Sequence, residues 1–325
     1  MRILQGILTK LAGIAAAILV IATINFTLVH SAPGDPATVM AGQSGATDEQ
    51  FLADLRAEYG LDKPFIVQLG TYLTKVATLD LGYSYRQRRP VADLIMERLG
   101  PTLLLTLSAF FISLIGGVTF GALAGLRHGK WSDLGISLVA LLLYATPVFW
   151  LGLMLVLVFS IQLEWLPAFG YANMRASEFT RVEYVLDVAK HLLLPAITLG
   201  AIYMAVYTRL MRSSLIEVAA EDHVKTARAK GLGEAAILRG HMLRNAALPV
   251  VTFAGLQVGA LVGGAVVVET VFSWPGLGRL TFDAVTARDY PVLLGIFLVM
   301  SVLVIVVNML TDLIQRLIDP RMAVR

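Results

Sequence analysis

The chain of 325 residues contains no cysteine. That excludes disulfide frameworks, thiolate metal sites and a cysteine nucleophile. Charge is also scarce. Only 15% of residues are Asp, Glu, Lys or Arg, against roughly a quarter in soluble domains. Hydrophobic residues make up 57%, and the mean hydropathy is +0.74. This balance excludes an ordinary soluble domain and points to an integral membrane protein, with the lipid bilayer as first partner. A net charge of +3 gives no case for a nucleic-acid partner. No G-x-x-x-x-G-K-[ST] phosphate loop is present; the one Gly-Lys pair, Gly129-Lys130, is followed by Trp131. The chain is therefore not expected to hydrolyse ATP or to be an enzyme. Neither H-E-x-x-H nor G-x-S-x-G occurs, so an intramembrane hydrolase has no support and no metal site is expected.

What the chain has is six long apolar runs without a charge: Leu11 to Val29, Thr102 to Leu126, Leu134 to Leu163, Leu192 to Thr208, Ala246 to Val268 and Tyr290 to Thr311. A bilayer core needs about 20 mostly apolar helical residues. A charge at its centre costs about 2.5–3.5 kcal/mol on the insertion scale, which accounts for the missing charges. The five histidines, His30, His128, His191, His223 and His241, lie at run edges or in loops. Proton-coupled carriers place ionisable groups inside their spans, so a secondary transporter or channel is the weaker class. The fold expectation is all-α and polytopic, with six transmembrane helices. The first run is longer than a signal-peptide core, and Pro33 follows the candidate site His30-Ser31-Ala32. It is read as a retained anchor.

The short loops set the orientation. With the N-terminus inside, the cytoplasmic segments carry fourteen Lys and Arg, and the two short external loops carry five. Both termini are thus expected in the cytoplasm of a cell inner-membrane protein. The organisation expected is a tail and first helix over 1–29, a periplasmic cap over 30–101, a five-helix core over 102–313 and a cytoplasmic tail over 314–325. In the cap, Ala32-Pro33-Gly34-Asp35-Pro36 reads as a rigid exit from the first span. Asp48 to Tyr59, with Thr47 as N-cap, Phe65 to Leu79 and Pro90 to Leu99 read as short amphipathic helices.

The segment 209–247 differs from the rest. Leu215 to Lys230 reads as a helix continuing from the fourth span. Gly231-Leu232-Gly233 breaks it, with Gly231 suited to a left-handed C-terminal position. Glu234 opens the next helix, where its charge favours the dipole. Ala227, Ala229 and Gly231 offer a nearly bare face to another backbone. Lys225, Arg228 and Lys230 are candidates to meet acidic groups on a partner.

Single residues inside or beside the spans are candidates for a translocation path or gate. Pro147 should kink the third span. Glu269 and Trp274 stand at the end of the fifth. Asn25 and Asn308 are amides within the first and sixth, where helix–helix hydrogen bonding is the usual role. Gly116, Gly117, Gly121 and Gly125, and Gly255, Gly259 and Gly263, recur at four-residue spacing and should permit close helix approach.

The stretch EDHVKTARAKGLGEAAILRGHMLRNAALPVV resembles the cytoplasmic signature loop of ABC-transporter permeases, more closely the dipeptide/oligopeptide/nickel family, B-type. APGDP, RRPVADLIMERLGPTLLLTL, ATPVFWLGL, VVVETVFSWPGLGRL and RDYPVLLG carry the resemblance along the whole chain. It implies a type I importer permease fold with a periplasmic cap. It implies a second permease subunit, two ATPase subunits that bind ATP and Mg, and an extracytoplasmic binding protein. The substrate implied is a di- or oligopeptide, with nickel complexes, glutathione or oligosaccharides as alternatives. The coupling loop implied includes Glu221, Asp222, Lys225, Ala227, Arg228, Ala229, Lys230, Gly231, Leu232 and Glu234. The broad signature opens on Glu-Ala-Ala, whereas Lys225-Thr226-Ala227 stands at that place, so a role for the signature Glu does not transfer.

Overall fold

A computed structural model of the chain describes residues 2–31, 49–58, 62–84 and 86–318. The expected exit at 32–36, the N-cap Thr47, Tyr59 and the tail beyond Ile318 lie outside the described residues. The elements are α1 (Arg2–Ser31), α2 (Glu49–Glu58), α3 (Phe65–Ala77), a hairpin of β1 (Tyr83–Ser84) and β2 (Arg89–Pro90), α4 (Val91–Leu126), α5 (Trp131–Ala145), α6 (Val148–Leu155) with a following π turn (Val156–Gln162), α7 (Arg181–Ala219), α8 (Asp222–Ala229), α9 (Glu234–Ile237), a π turn (Leu238–Met242), α10 (Leu243–Val271), α11 (Leu277–Ala287) and α12 (Tyr290–Ile318).

Five of the six apolar runs are helical throughout, and the third is helical on either side of a break at Thr146-Pro147. Among the described residues, four helical stretches are long and apolar enough to cross a membrane: Ala12–Ser31, Val91–Leu126, Arg181–Ala219 and Tyr290–Thr311. A fifth is broken: α5 and the stretch Val148–Gln162 meet at 112°. The break is where Pro147 places it. Proline lacks an N–H and pushes its predecessor out of the helical region, and Thr146 is extended with ψ 128°. The run Ala246 to Val268 lies inside α10.

Two helix expectations are corrected. Pro90 to Leu99 is not a separate helix, because α4 runs unbroken through Gly100 and Pro101. Leu215 to Lys230 is not one helix either. Helix α7 stops at Ala219 and Glu221 is extended. No proline or glycine marks that stop. The reason is packing: the turn directs Val224 and Ala227 of α8 inward, where 0% and 4% of their surfaces remain exposed.

The chain divides into two compact units, Met1–Gly100 with Gly276–Val306, and Pro101–Pro275 with Val307–Arg325. In the first, Phe26 and Val29 of α1, Ile95 of α4, Leu280 of α11 and Ile296 of α12 share one core. The Tyr72 ring of α3 stacks on Phe26 at 5.2 Å. The hairpin, which sequence reasoning missed, is pinned by Ser84, whose Oγ donates to Asp289 Oδ2 at 2.5 Å. Burial raises the Asp289 pKa above the usual carboxylate value.

In the second unit α7 is the most buried span, and α4 and α10 pack along it. The α4 glycines make the approach possible. A Cβ at Gly121 would stand 2.5 Å from Thr208 O, and one at Gly200 would stand 2.8 Å from Ala109 O. Lipid chains are as apolar as the side chains, so close van der Waals packing through small residues carries association here. Gly263 differs from this pattern: an added Cβ there meets nothing within 4 Å.

Candidate functional site

The loop between α7 and α10 is anchored on one face and open on the other. Val224 and Ala227 of α8 join Tyr207, Met211 and Leu215 of α7 and Ile237 of α9 in a common core. Ala227 therefore faces inward and is not part of a bare docking face. The open face carries Lys225, Arg228, Ala229, Lys230, Gly231, Leu232 and Glu234, all exposed. Helix α8 closes in a Schellman motif. Gly231 N–H donates to Arg228 O at 2.9 Å and Leu232 N–H to Ala227 O at 3.3 Å, with Gly231 left-handed at φ 80°. The next residue, Leu232, keeps 45% of its surface exposed.

The cations of this loop are not all free for a partner. Lys225 Nζ lies 2.9 Å from Asp222 Oδ1. Arg228 bridges to both carboxylate oxygens of Glu234, at 2.8 and 3.2 Å. That bidentate pair lowers the Glu234 pKa and ties the end of α8 to the start of α9. Glu221 holds the His223 ring at 3.0 Å. Lys230 stands exposed at the tip.

A second constellation lies at the other end of α10. Glu269 and Trp274, read from sequence as gate candidates, are both 0% exposed. Helix α10 also ends in a Schellman motif: Trp274 N–H donates to Glu269 O at 2.8 Å and Ser273 N–H to Thr270 O at 3.3 Å. Here the left-handed residue is Ser273, at φ 52°. The turn swings the Trp274 indole into the core, where Nε1 donates to Pro101 O at 2.9 Å. Tyr171 packs against it with ring centroids 4.8 Å apart. The Glu269 carboxylate accepts from Thr102 Oγ1 at 2.7 Å.

Sequence reasoning missed two features. One is a clamp at the start of α5. Asp133, 4% exposed, accepts from Arg212 Nε at 2.5 Å and Nη2 at 2.8 Å, and from Gly129 N–H at 3.0 Å. It fixes the α4–α5 turn to α7 about two turns before that helix ends at Ala219. Its partners lie far apart in sequence, so no spacing announces it. The other is a cavity of ≈ 390 Å³ at the Pro147 bend, between α5, α6, α7 and α10. Tyr144 and Val148 border it on either side of the bend; Pro147 itself is not among its lining residues. Among the remaining path candidates, Asn308 is exposed on α12, and Asn25 is half-buried on α1 in the first unit. Among the described residues, no group of three or more His, Cys, Asp or Glu could hold a metal ion.

A mostly helical chain with several candidate spans, one of them broken, and an exposed loop between two helices fits a polytopic membrane protein. Residues 117–324 match the family model described as binding-protein-dependent transport system inner membrane component, and residues 3–106 match its N-terminal companion. The dipeptide transport system permease protein DppB of Alkalihalophilus pseudofirmus is 39% identical over 311 residues, covering 92% of this chain and 93% of that one. The glutathione transport system permease protein GsiC of Salmonella paratyphi A is 41% identical over 318 residues, covering 98% of each. Among solved structures, the MetNI methionine ABC transporter in inward-facing conformations aligns with TM-score 0.55 at 18% identity, over 70% of this chain and 96% of that one. An amino acid ABC transporter crystal structure aligns with TM-score 0.52 at 19% identity, over 69% and 94%. These structures share the fold. The chain belongs to the family of binding-protein-dependent transport system inner-membrane components, the multi-pass permease subunits of ABC importers.

Proposed function

We propose that this chain forms one half of the translocation pathway for di- or oligopeptides, paired with a second permease and driven by two ATPase subunits. The observation that carries the coupling role is the open face of residues 228–234, held rigidly on α7 through Val224 and Ala227. Such a loop moves as a body with the helices it is packed on. Both termini and this loop lie on the cytoplasmic side, in keeping with the distribution of Lys and Arg. An extracytoplasmic binding protein delivers the substrate. ATP and Mg bind on the ATPase subunits, whose closure pushes Gly231 and Leu232, and α7 and α10 rock with the loop. This is alternating access by rigid-body gating. The relatives' peptide and glutathione substrates support a peptidic cargo; nickel complexes and oligosaccharides are the alternatives.

The test is uptake of labelled peptide into proteoliposomes, by the chain alone and with its partner subunits. Uptake that needs ATP, the partners and the binding protein is the expected result. Uptake driven by an ion gradient with the chain alone would overturn the reading.

A further inference from the structure

Within the second unit, the cavity at the Pro147 bend has mostly apolar and aromatic walls, among them Val148, Leu199, Val206 and Phe253. Two polar side chains stand out in its lining: Arg209 of α7 and Gln257 of α10. The Arg209 guanidinium lies over the Tyr144 ring, 4.4 Å from its centroid. Stacking on the ring face holds the guanidinium plane while leaving the N–H groups around its edge available. Among the described residues no carboxylate pairs with it. Its neighbour one turn on shows the contrast, since Arg212 is fully engaged by Asp133. An exposed arginine held over an aromatic ring beside a largely apolar cavity, with no carboxylate partner among the described residues, is suited to a planar, bidentate anion. The volume falls in the range of about 300–1,000 Å³ typical of small-molecule sites.

We propose that this cavity is a subsite on the permease itself for the carboxylate terminus of a transported peptide. Arg209 receives the carboxylate, Tyr144 orients the guanidinium, Gln257 meets the peptide amides and the apolar wall takes a side chain. The inference rests on the peptide reading above and adds specificity within the pathway, beyond selection by the binding protein. The cavity lies at the 112° bend of the third span, with Tyr144 just before the break and Val148 just after it.

The test uses the complete transporter in proteoliposomes with its binding protein and labelled Ala-Leu dipeptide as probe. If the wild type imports no Ala-Leu, the peptide reading fails and this inference falls with it. If it does import, Arg209→Gln is expected to lower uptake about tenfold or more, the scale of a lost charge-assisted hydrogen bond. ATPase stimulation by the loaded binding protein should stay within about twofold, because the residue faces cargo and not the coupling loop. Arg209→Lys should recover part of the uptake. A second readout bypasses delivery: titration of the detergent-solubilised complex, without binding protein, with Ala-Leu and with its C-terminal amide. The wild type should prefer the free acid, and Arg209→Gln should bind both alike. Unchanged uptake in Arg209→Gln overturns the proposal. So does an equal loss of uptake and ATPase activity in both variants, or no preference for the acid in the wild type.

Discussion

Two helices of the second unit end in the same backbone device with opposite results. Helix α8 closes through Gly231, and the residue after it, Leu232, is left on the surface. Helix α10 closes through Ser273, and the residue after it, Trp274, is driven into the core with no surface exposed. A Schellman motif usually places that residue in a hydrophobic contact with the helix it ends. At the α10 corner the contact is made many times over. At the α8 corner Leu232 remains 45% exposed beside a glycine whose added Cβ would meet nothing within 4 Å. One corner is completed within the chain; the other leaves Leu232 exposed, as the proposed docking of an ATPase subunit requires. The residue at the left-handed position agrees. Ser273 tolerates a strained φ because the Trp274 packing over-determines it, whereas the exposed corner has no such packing and uses glycine.

The comparison is broken most severely at the buried corner. Trp274→Ala removes the indole, its bond to Pro101 and its ring contact with Tyr171. It should cost about 3–5 kcal/mol, read as loss of monodisperse protein and a large drop in melting temperature. Gly231→Val should have a smaller effect on stability, about 1–3 kcal/mol of local strain, and leave membrane insertion intact. Its effect should fall on coupling, with ATP hydrolysis no longer matched by uptake. Ser273→Gly sharpens the contrast from the other side. It relieves the left-handed strain and should raise stability by about 1 kcal/mol at most, with no change in transport. The smallest effect is expected from pH. Glu234 has a lowered pKa because Arg228 binds its carboxylate. The pair is therefore fully formed above the ordinary Glu value of about 4.3 and is lost as pH falls through the depressed value. Amide hydrogen exchange at Gly231 to Ala235 should quicken only below that range, and Arg228→Gln should abolish the dependence.

Much of this was legible in the sequence, and the reasons divide cleanly. The spans could be read because a bilayer excludes charge, so each leaves a long uncharged run. Pro147 and Gly231 could be read because their covalent structure dictates the backbone around them: the break falls at Thr146–Pro147, and Gly231 is left-handed. The glycine face of α4 could be read from its four-residue spacing. What could not be read depends on partners distant in the chain. Asp133 looks like an ordinary first-turn acid until Arg212 is folded against it. Trp274 opens the turn-rich stretch Trp274-Pro275-Gly276-Leu277-Gly278, which reads as a gate, and only the Pro101 carbonyl and Tyr171 make it core. The stop at Ala219 has no breaker residue and follows from the burial of Val224 and Ala227. Lys225 and Arg228 looked like free cations, yet Asp222 and Glu234 engage them.

The absence of cysteine offers the most direct test of the account, because a single introduced thiol is unique in the chain. Lys230→Cys, at the exposed tip, is to be compared with Ala227→Cys, one turn away and buried, by disulfide trapping in the assembled transporter. With a second cysteine introduced on the docking surface of the ATPase subunit and a mild oxidant, the thiol at position 230 is predicted to cross-link with a yield that changes on ATP binding, and the thiol at 227 not to. Equal cross-linking from both positions, or none from position 230 in a complex that transports, would contradict it.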